Sequence, residues 1–186
     1  MALPAASDRC LAAVVVLAAG VLLFPITALG ESGASATATQ SAIAPTCRAA
    51  NTEVWMALES NGTAGTVYYY LEFSNIGHQT CTLFGYPGVS AVNQRGNEVG
   101  NPAAHFGTRS LVTLQRGVTA HAILGVLDAG ASCDNHGVMA AALRVYPPGQ
   151  TVIQLVDLSV SVCSHQSSMR IFSMRSGTGI PYYTYP

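Results

Sequence analysis

Short segments of the chain alternate apolar and polar residues with a period of two, which is the pattern of β-strands that bury one face. In the clearest segment, residues 65–74, the apolar positions share one face: Val67, Tyr69, Leu71 and Phe73. The opposite positions are Tyr68, Tyr70, Glu72 and Ser74. We therefore expect this strand to have a core side and a wetter side.

Three further segments repeat this alternation: residues 53–58, 118–126 and 156–162. Turn-forming residues separate the segments, for example Asn61-Gly62, Pro87-Gly88 and Pro147-Pro148-Gly149. Short alternating segments between such turns predict an all-β fold, an antiparallel β-sandwich. Residues 137–144 allow one helical turn, although a strand through Leu143 and Val145 fits equally well.

Residues 1–30 have the layout of a secretory signal peptide. Arg9 precedes an apolar run over residues 11–23, and small residues follow it. Ala28-Leu29-Gly30 matches a signal-peptidase site, so we expect cleavage after Gly30 and secretion or a location in the cell envelope. An uncleaved anchor is the alternative, because residues 11–29 nearly reach the roughly 20 apolar residues that cross a bilayer.

The rest of the chain divides into three parts. Residues 31–46 form a flexible spacer rich in Ser, Ala and Thr, with Ile43 as its only large apolar residue. Residues 47–177 form one domain of ordinary size, and residues 178–186 form an aromatic C-terminal tail.

The charge content points away from nucleic acids. The chain has 8 basic residues, all of them Arg, and 9 acidic residues. Phosphate-backbone binding requires a clustered basic face, and the sequence has none. We expect no nucleic-acid partner, and contact with a membrane only through an uncleaved leader.

Four cysteines lie in the predicted domain: Cys47, Cys81, Cys133 and Cys163. An even number of cysteines behind a leader predicts two disulfides formed in an oxidising compartment. Three connectivities are open to four cysteines. We prefer the pairs Cys47–Cys81 and Cys133–Cys163, because each closes a loop of moderate length.

Four runs of residues carry a resemblance to a known family. They are Leu-Glu-Phe-Ser-Asn at 71–75, Cys-Thr-Leu-Phe-Gly-Tyr-Pro-Gly-Val at 81–89, Leu-Gln-Arg-Gly-Val-Thr-Ala at 114–120 and Leu-Arg-Val-Tyr-Pro-Pro at 143–148. On these runs, residues 47–177 resemble the domain of unknown function family DUF4232, which consists of exported actinobacterial proteins and lipoproteins. The resemblance implies an immunoglobulin-like β-sandwich in the cell envelope and implies no reaction, substrate or cofactor. The chain departs from the lipoprotein members in lacking a lipid-modified cysteine.

A copper-binding, cupredoxin-like module is the alternative from a different functional class. Cys163, His165 and Met169 place a thiol, an imidazole and a thioether close together, and His78 offers a second imidazole. The disulfide hypothesis opposes this one, because a paired Cys163 has no thiolate for a metal.

Catalytic signatures are lacking in the sequence. It contains neither a Gly-x-Ser-x-Gly elbow nor a Gly-rich phosphate loop, and its five histidines have no diagnostic metal-ligand spacing. Among the acids, Glu72 takes a solvent-facing strand position, and we expect His121 to be exposed as well. The sequence predicts a non-catalytic protein without metal or cofactor, with an unrecognised hydrolase as a further alternative.

The aromatic residues are the strongest candidates for binding. Tyr68 and Tyr70 on the wetter strand face offer a rigid platform for an envelope or extracellular protein or glycan. The alternative is that the edge of the second sheet or the tail covers this face. The tail carries a second aromatic cluster: Tyr182, Tyr183 and Tyr185.

The disulfide preference is tested by peptide mapping under non-reducing conditions. We expect linked peptides that contain Cys47 with Cys81 and Cys133 with Cys163. In the chain-entropy model, each loop of about 30 residues contributes roughly 3 to 4 kcal/mol to stability. A peptide that links Cys47 to Cys163 would contradict the assignment.

Overall fold

A computed structural model describes residues 43–63, 65–133 and 137–180. The predicted leader, most of the spacer, and the tyrosines at 182, 183 and 185 lie outside these residues. Within the described ranges, no helix is both long and apolar enough to span a bilayer.

The regular secondary structure of the described residues is almost entirely β. Its strands are β1 (Thr52–Thr63), β2 (Thr66–Asn75), β3 (Cys81–Phe84), β4 (Gly88–Val92), β5 (Ala104–Phe106), β6 (Leu111–Leu114), β7 (Thr119–Leu127), β8 (Gly137–Tyr146), β9 (Gln154–Cys163), β10 (Met169–Phe172) and β11 (Arg175–Ser176). A 3-10 turn, Ala49–Asn51, precedes β1, and a single helical turn, α1 (Ala129–Ser132), follows β7. The segment after residue 137, for which helix and strand were both open, is therefore a strand.

The strands form three sheets. The largest has the order β1-β2-β7-β10-β5, with β11 also paired to β7, while β4-β8-β9 and β3-β6 form two smaller sheets. The predicted all-β, antiparallel architecture is confirmed, with one exception: β10 and β5 pair in parallel. A parallel pair is possible here because β5 and β10 are far apart in sequence, so no hairpin forces them to reverse direction.

One hydrophobic core joins the sheets. Leu71 and Phe73 of β2 and Leu124 of β7 are fully buried, and they belong to the same cluster as Leu143 and Val145 of β8. These residues occupy alternate strand positions, so their side chains point to one side of each sheet. The alternation in the sequence therefore identified the core side of β2 correctly.

Both disulfides are present. Cys47–Cys81 joins the segment before β1 to the start of β3, and Cys133–Cys163 joins the end of α1 to the end of β9. These are the two pairs that the loop lengths favoured. The end of the predicted spacer is also tied to the domain, because the carbonyl of Pro45 accepts a hydrogen bond from the backbone of Thr82 at 2.8 Å.

The Gln154 side chain connects the edges of two sheets. Its Oε1 accepts a hydrogen bond from the Val54 backbone at 3.0 Å, and its Nε2 donates to the carbonyls of Ala49 and Thr52. One amide thus pairs with backbone groups on the outer edge of β1 and in the 3-10 turn before it. Edge groups left unpaired favour association with strands of other chains, so this contact protects the edge.

Asn75, at the end of β2, closes the connection to β3. Its Nδ2 donates to the carbonyls of Gln79 and Leu114 at 2.9 and 3.0 Å, and its Oδ1 accepts from the Gly77 backbone at 3.0 Å. The side chain is buried. Three backbone groups therefore depend on this one amide.

We expect Asn75→Ala to destabilise the domain by about 2 to 3 kcal/mol, because buried backbone groups lose their partners. Urea unfolding of the variant and the wild type measures the difference. Asn97→Ala, at an exposed turn position, is the control and is expected to change stability by less than about 0.5 kcal/mol. Equal stability of the two variants would contradict the structural role of Asn75.

Candidate functional site

The strand register places a set of aromatic and polar side chains on the side of the largest sheet that faces away from the core. Cross-strand partners share a face, since side chains alternate along each strand. We call this surface the outer face. Among its members are Trp55, Tyr68, Tyr70, Glu72, Ser74, Phe106, Thr119, His121, Ile123, Gly125, Arg170 and Phe172.

At one end of the outer face, two phenylalanines and an arginine are in contact. The rings of Phe106 and Phe172 meet edge to face with centroids 5.1 Å apart. The Arg170 guanidinium carbon lies 5.7 Å from the centre of the Phe106 ring, within cation–π range. A cavity of about 310 Å³ opens beside Phe106 and Arg170, with Ser167 and Ser168 in its lining.

Gly125 makes room for Tyr68 and Arg170 in the middle of the outer face. A Cβ at position 125 would stand 3.0 Å from Tyr68 Cε1 and 3.1 Å from Arg170 Cγ. The two long side chains therefore close over the glycine from neighbouring strands. Together with Phe106 and Phe172 they form a continuous surface across four strands, which we call the aromatic row.

Trp55 on β1 is held in a fixed orientation. Its Nε1 donates a hydrogen bond to Ser74 Oγ at 3.0 Å, and Ser74 Oγ is hydrogen-bonded to Thr119 Oγ1 at 2.7 Å. Ser74 and Thr119 are buried, while Trp55 is half-buried. The indole is thus oriented by partners beneath it and keeps part of its ring accessible.

At the other end of the outer face, Glu72 and His121 are neighbours on paired strands beneath residues Arg175–Ile180, which we call the C-terminal strap. Glu72 Oε1 accepts a hydrogen bond from the Gly179 backbone at 2.8 Å, and His121 Nδ1 donates to the Gly177 carbonyl at 2.8 Å. Tyr70 contacts the same cluster, with its ring 5.8 Å from the His121 ring and nearly perpendicular to it.

The expectation that Glu72 and His121 face solvent is wrong. Glu72 is 0% exposed and His121 is 9% exposed. Both occupy the side of the strand that the alternation assigned to solvent, but the C-terminal strap folds over that side. The wetter face predicted for β2 is therefore only half-exposed at Tyr68 and Tyr70, and the strap lies against Tyr70.

Burial shifts the titration of both groups under the strap. Loss of hydration raises the pKa of Glu72 to about 7, while the hydrogen bond from Gly179 acts in the opposite direction. The second carboxyl oxygen, Oε2, is buried without a hydrogen-bond partner in the described ranges. Burial also lowers the pKa of His121. The hydrogen bond to the Gly177 carbonyl raises this pKa, and the positive charge of Arg175 lowers it further.

The copper hypothesis loses its thiolate ligand. Cys163 Sγ is bonded to Cys133, and Met169 is buried within β10. Across residues 43–63, 65–133 and 137–180, no group of three or more His, Cys, Asp or Glu side chains is placed to hold a metal ion.

The fold and this surface define a disulfide-linked β-sandwich domain with an aromatic outer face. A family model described as domain of unknown function, DUF4232, matches residues 47–171, and the chain belongs to that family. The family resemblance noted in the sequence is thereby confirmed. Neither the curated proteins nor the solved structures contain a match to this chain.

Sequence reasoning missed most of the outer face. It singled out Tyr68 and Tyr70 because they alternate with core residues on one strand. Phe106, Arg170 and Phe172 lie on short strands brought together only by tertiary pairing. Trp55 could have been found, since it stands on the non-core side of the alternation in β1.

The pKa of Glu72 predicts a pH dependence of stability. The pKa of Glu72 is raised from 4.5 to about 7 in the folded protein, which means that the folded protein favours the protonated carboxyl. The contribution of this group to the free energy of unfolding is therefore complete below pH 4.5 and is lost as the pH rises towards 7. Since glutamine does not ionise, we expect the stability of Glu72→Gln relative to the wild type to increase as the pH rises from 4.5 to 7, by at most roughly 3 kcal/mol. Urea unfolding of both proteins across this pH range measures the difference.

His121 titrates in both proteins, so its contribution cancels in the comparison to first order. A stability difference that stays constant from pH 4 to pH 8 would show that the Glu72 carboxyl is not buried in its neutral form.

Proposed function

We propose that this protein is an exported, non-catalytic binding module and that its outer face binds a glycan of the cell envelope or the extracellular medium. The observation that carries the proposal is the aromatic row, in which partly exposed rings and a guanidinium group lie side by side on one sheet. Such a surface offers ring faces for stacking and polar groups for hydrogen bonds.

Two observations support export. The leader over residues 1–30 has the pattern of a secretory signal. The two disulfides are typical of domains that fold in an oxidising compartment, and they stabilise a domain exposed to the medium. Membership of DUF4232 is consistent with this role but assigns no activity.

The chemistry of the outer face favours a glycan over a protein partner. Sugars present apolar C–H faces that stack on aromatic rings, and hydroxyl groups that bond to guanidinium and phenol groups. Phe106 and Phe172 lie on neighbouring strands with ring centroids 5.1 Å apart, and Tyr68 lies on a strand two positions from β10, about 10 Å away. The aromatic row is therefore long enough to contact more than one sugar unit. Aliphatic side chains, which protein interfaces use to fill their cores, are sparse here: Ile123 is half-buried opposite Tyr70.

The aromatic tail belongs to the same proposal. Tyr182, Tyr183 and Tyr185 follow the C-terminal strap directly along the chain, and the strap ends on the outer face beside Tyr70. We propose that these tyrosines add stacking surface to the site.

Binding is tested with chitohexaose, cellohexaose and mannohexaose in calorimetry. We expect at least one of them to bind, and Tyr68→Ala and Phe106→Ala to weaken that binding about tenfold each, since losing a stacking partner costs about 1.4 kcal/mol. Phe84→Ala is the matched control, because Phe84 lies on β3 and its exposed fraction, 56%, is close to the 52% of Phe106.

Equal losses in the Phe84 and Phe106 variants would contradict a site on the outer face. Absence of oligosaccharide binding, together with capture of a protease-sensitive envelope component that depends on Tyr68 and Phe106, would replace the glycan with a protein partner.

A further inference from the structure

We propose that the C-terminal strap is a lid, and that its opening exposes a polar half of the glycan-binding face formed by Tyr70, Glu72 and His121. That the ligand of this face is a glycan rests on the proposed function. The movement of the lid does not depend on the ligand, and hydrogen exchange measures it separately.

The strap is attached firmly at its start. Met174 is buried in the core, its backbone N–H donates to the Gly85 carbonyl at 3.0 Å, and its carbonyl accepts a hydrogen bond from Ser110 Oγ. Arg175 and Ser176 then pair with β7. The first part of the strap is therefore a fixed base from which the rest extends.

The distal part of the strap is held weakly by comparison. Its described hydrogen bonds to the sheet are the two made by Gly177 and Gly179 to His121 and Glu72. Within the described ranges, Thr178 bonds inside the strap, where its hydroxyl donates to the Ile180 carbonyl at 2.7 Å. Gly177 has a φ of 78°, a turn conformation that places the base and the tip at an angle. The tip can leave the sheet without disturbing the core.

Gly179 seats the lid on Tyr70. A Cβ at position 179 would stand 2.1 Å from Tyr70 Cδ1 and 2.4 Å from Cγ, so only glycine allows this closed contact. The backbone of the strap thus covers part of the half-buried Tyr70 ring directly, and the covered part cannot contact a ligand.

Closure leaves one polar group unsatisfied. Glu72 Oε2 is buried without a partner in the described ranges, and a buried carboxyl oxygen without a donor destabilises the closed state. Opening returns the carboxyl to water or to another donor. The hydroxyl groups of a sugar are such donors.

The exposed groups would extend the aromatic row towards β1. Glu72 is the cross-strand partner of Trp55, and Tyr70 lies on the same strand between Glu72 and Tyr68. A carboxylate and an imidazole beside the Trp55 and Tyr70 rings bind hydroxyl groups at the edge of a stacked sugar. The open state therefore offers one continuous site, with stacking surface at one end and hydrogen-bonding groups at the other.

Gly179→Ala prevents closure without altering the sheet. We expect faster hydrogen exchange over residues 175–180, a changed emission of Trp55, which is the only tryptophan in the chain, and at least fivefold tighter binding of the oligosaccharide found above. Gly62→Ala is the control, because a Cβ there meets only a carbonyl oxygen at 4.0 Å. Adding Glu72→Gln to Gly179→Ala should remove most of the gain in affinity.

Gly177→Val opens the lid by a different route, because a β-branched residue does not readily adopt the positive φ that Gly177 has in the closed strap. It replaces Gly179→Ala if that variant unfolds. Unchanged hydrogen exchange in both variants would overturn the lid. Faster exchange with unchanged affinity would overturn its control of binding. If neither the wild type nor the open variants bind any oligosaccharide, the glycan proposal fails, while hydrogen exchange and Trp55 emission still decide whether the strap opens.

Discussion

The pairing of β2 with β7 is the interaction on which the rest of the structure depends. Residues 66–74 pair one to one with residues 119–127, without a bulge. This single register directs Leu71 and Leu124 into the core and directs Glu72 and His121 to the outer face. A shift by one residue would exchange the two faces of each strand, so core packing and the candidate site are set by the same hydrogen bonds.

The outer face combines features that a purely structural surface does not need. The Trp55 ring is oriented by the buried Ser74, while part of the ring stays accessible. At its other end, an ionisable carboxyl is buried beneath a short strap although one of its oxygens lacks a partner. An apolar residue at position 72 would avoid the buried carboxyl but would leave the Gly179 N–H without its acceptor. Retaining Glu72 there is understandable if the strap opens and the carboxyl then meets a ligand.

The disulfides leave none of the four paired cysteines with a free thiol for metal binding. Pairing Cys163 with Cys133 removes the thiolate that a copper site would use, and pairing Cys47 with Cys81 ties the start of the domain to β3. The cysteines therefore act as covalent cross-links of a stable scaffold. The proposed function therefore rests on the aromatic surface and not on a cysteine thiol.

The sequence by itself determined the local features: the strand periodicity, the core side of β2, the turns, the preferred cysteine pairs and the family. These follow from interactions between residues close along the chain, or from a recognisable run such as residues 81–89. Only the tertiary structure decided which side chains meet on the outer face. Phe106 and Arg170 are separated by about half the domain in sequence, and the strap that buries Glu72 comes from the other end of the chain. Burial depends on what packs above a strand, and periodicity along one strand contains no information about that.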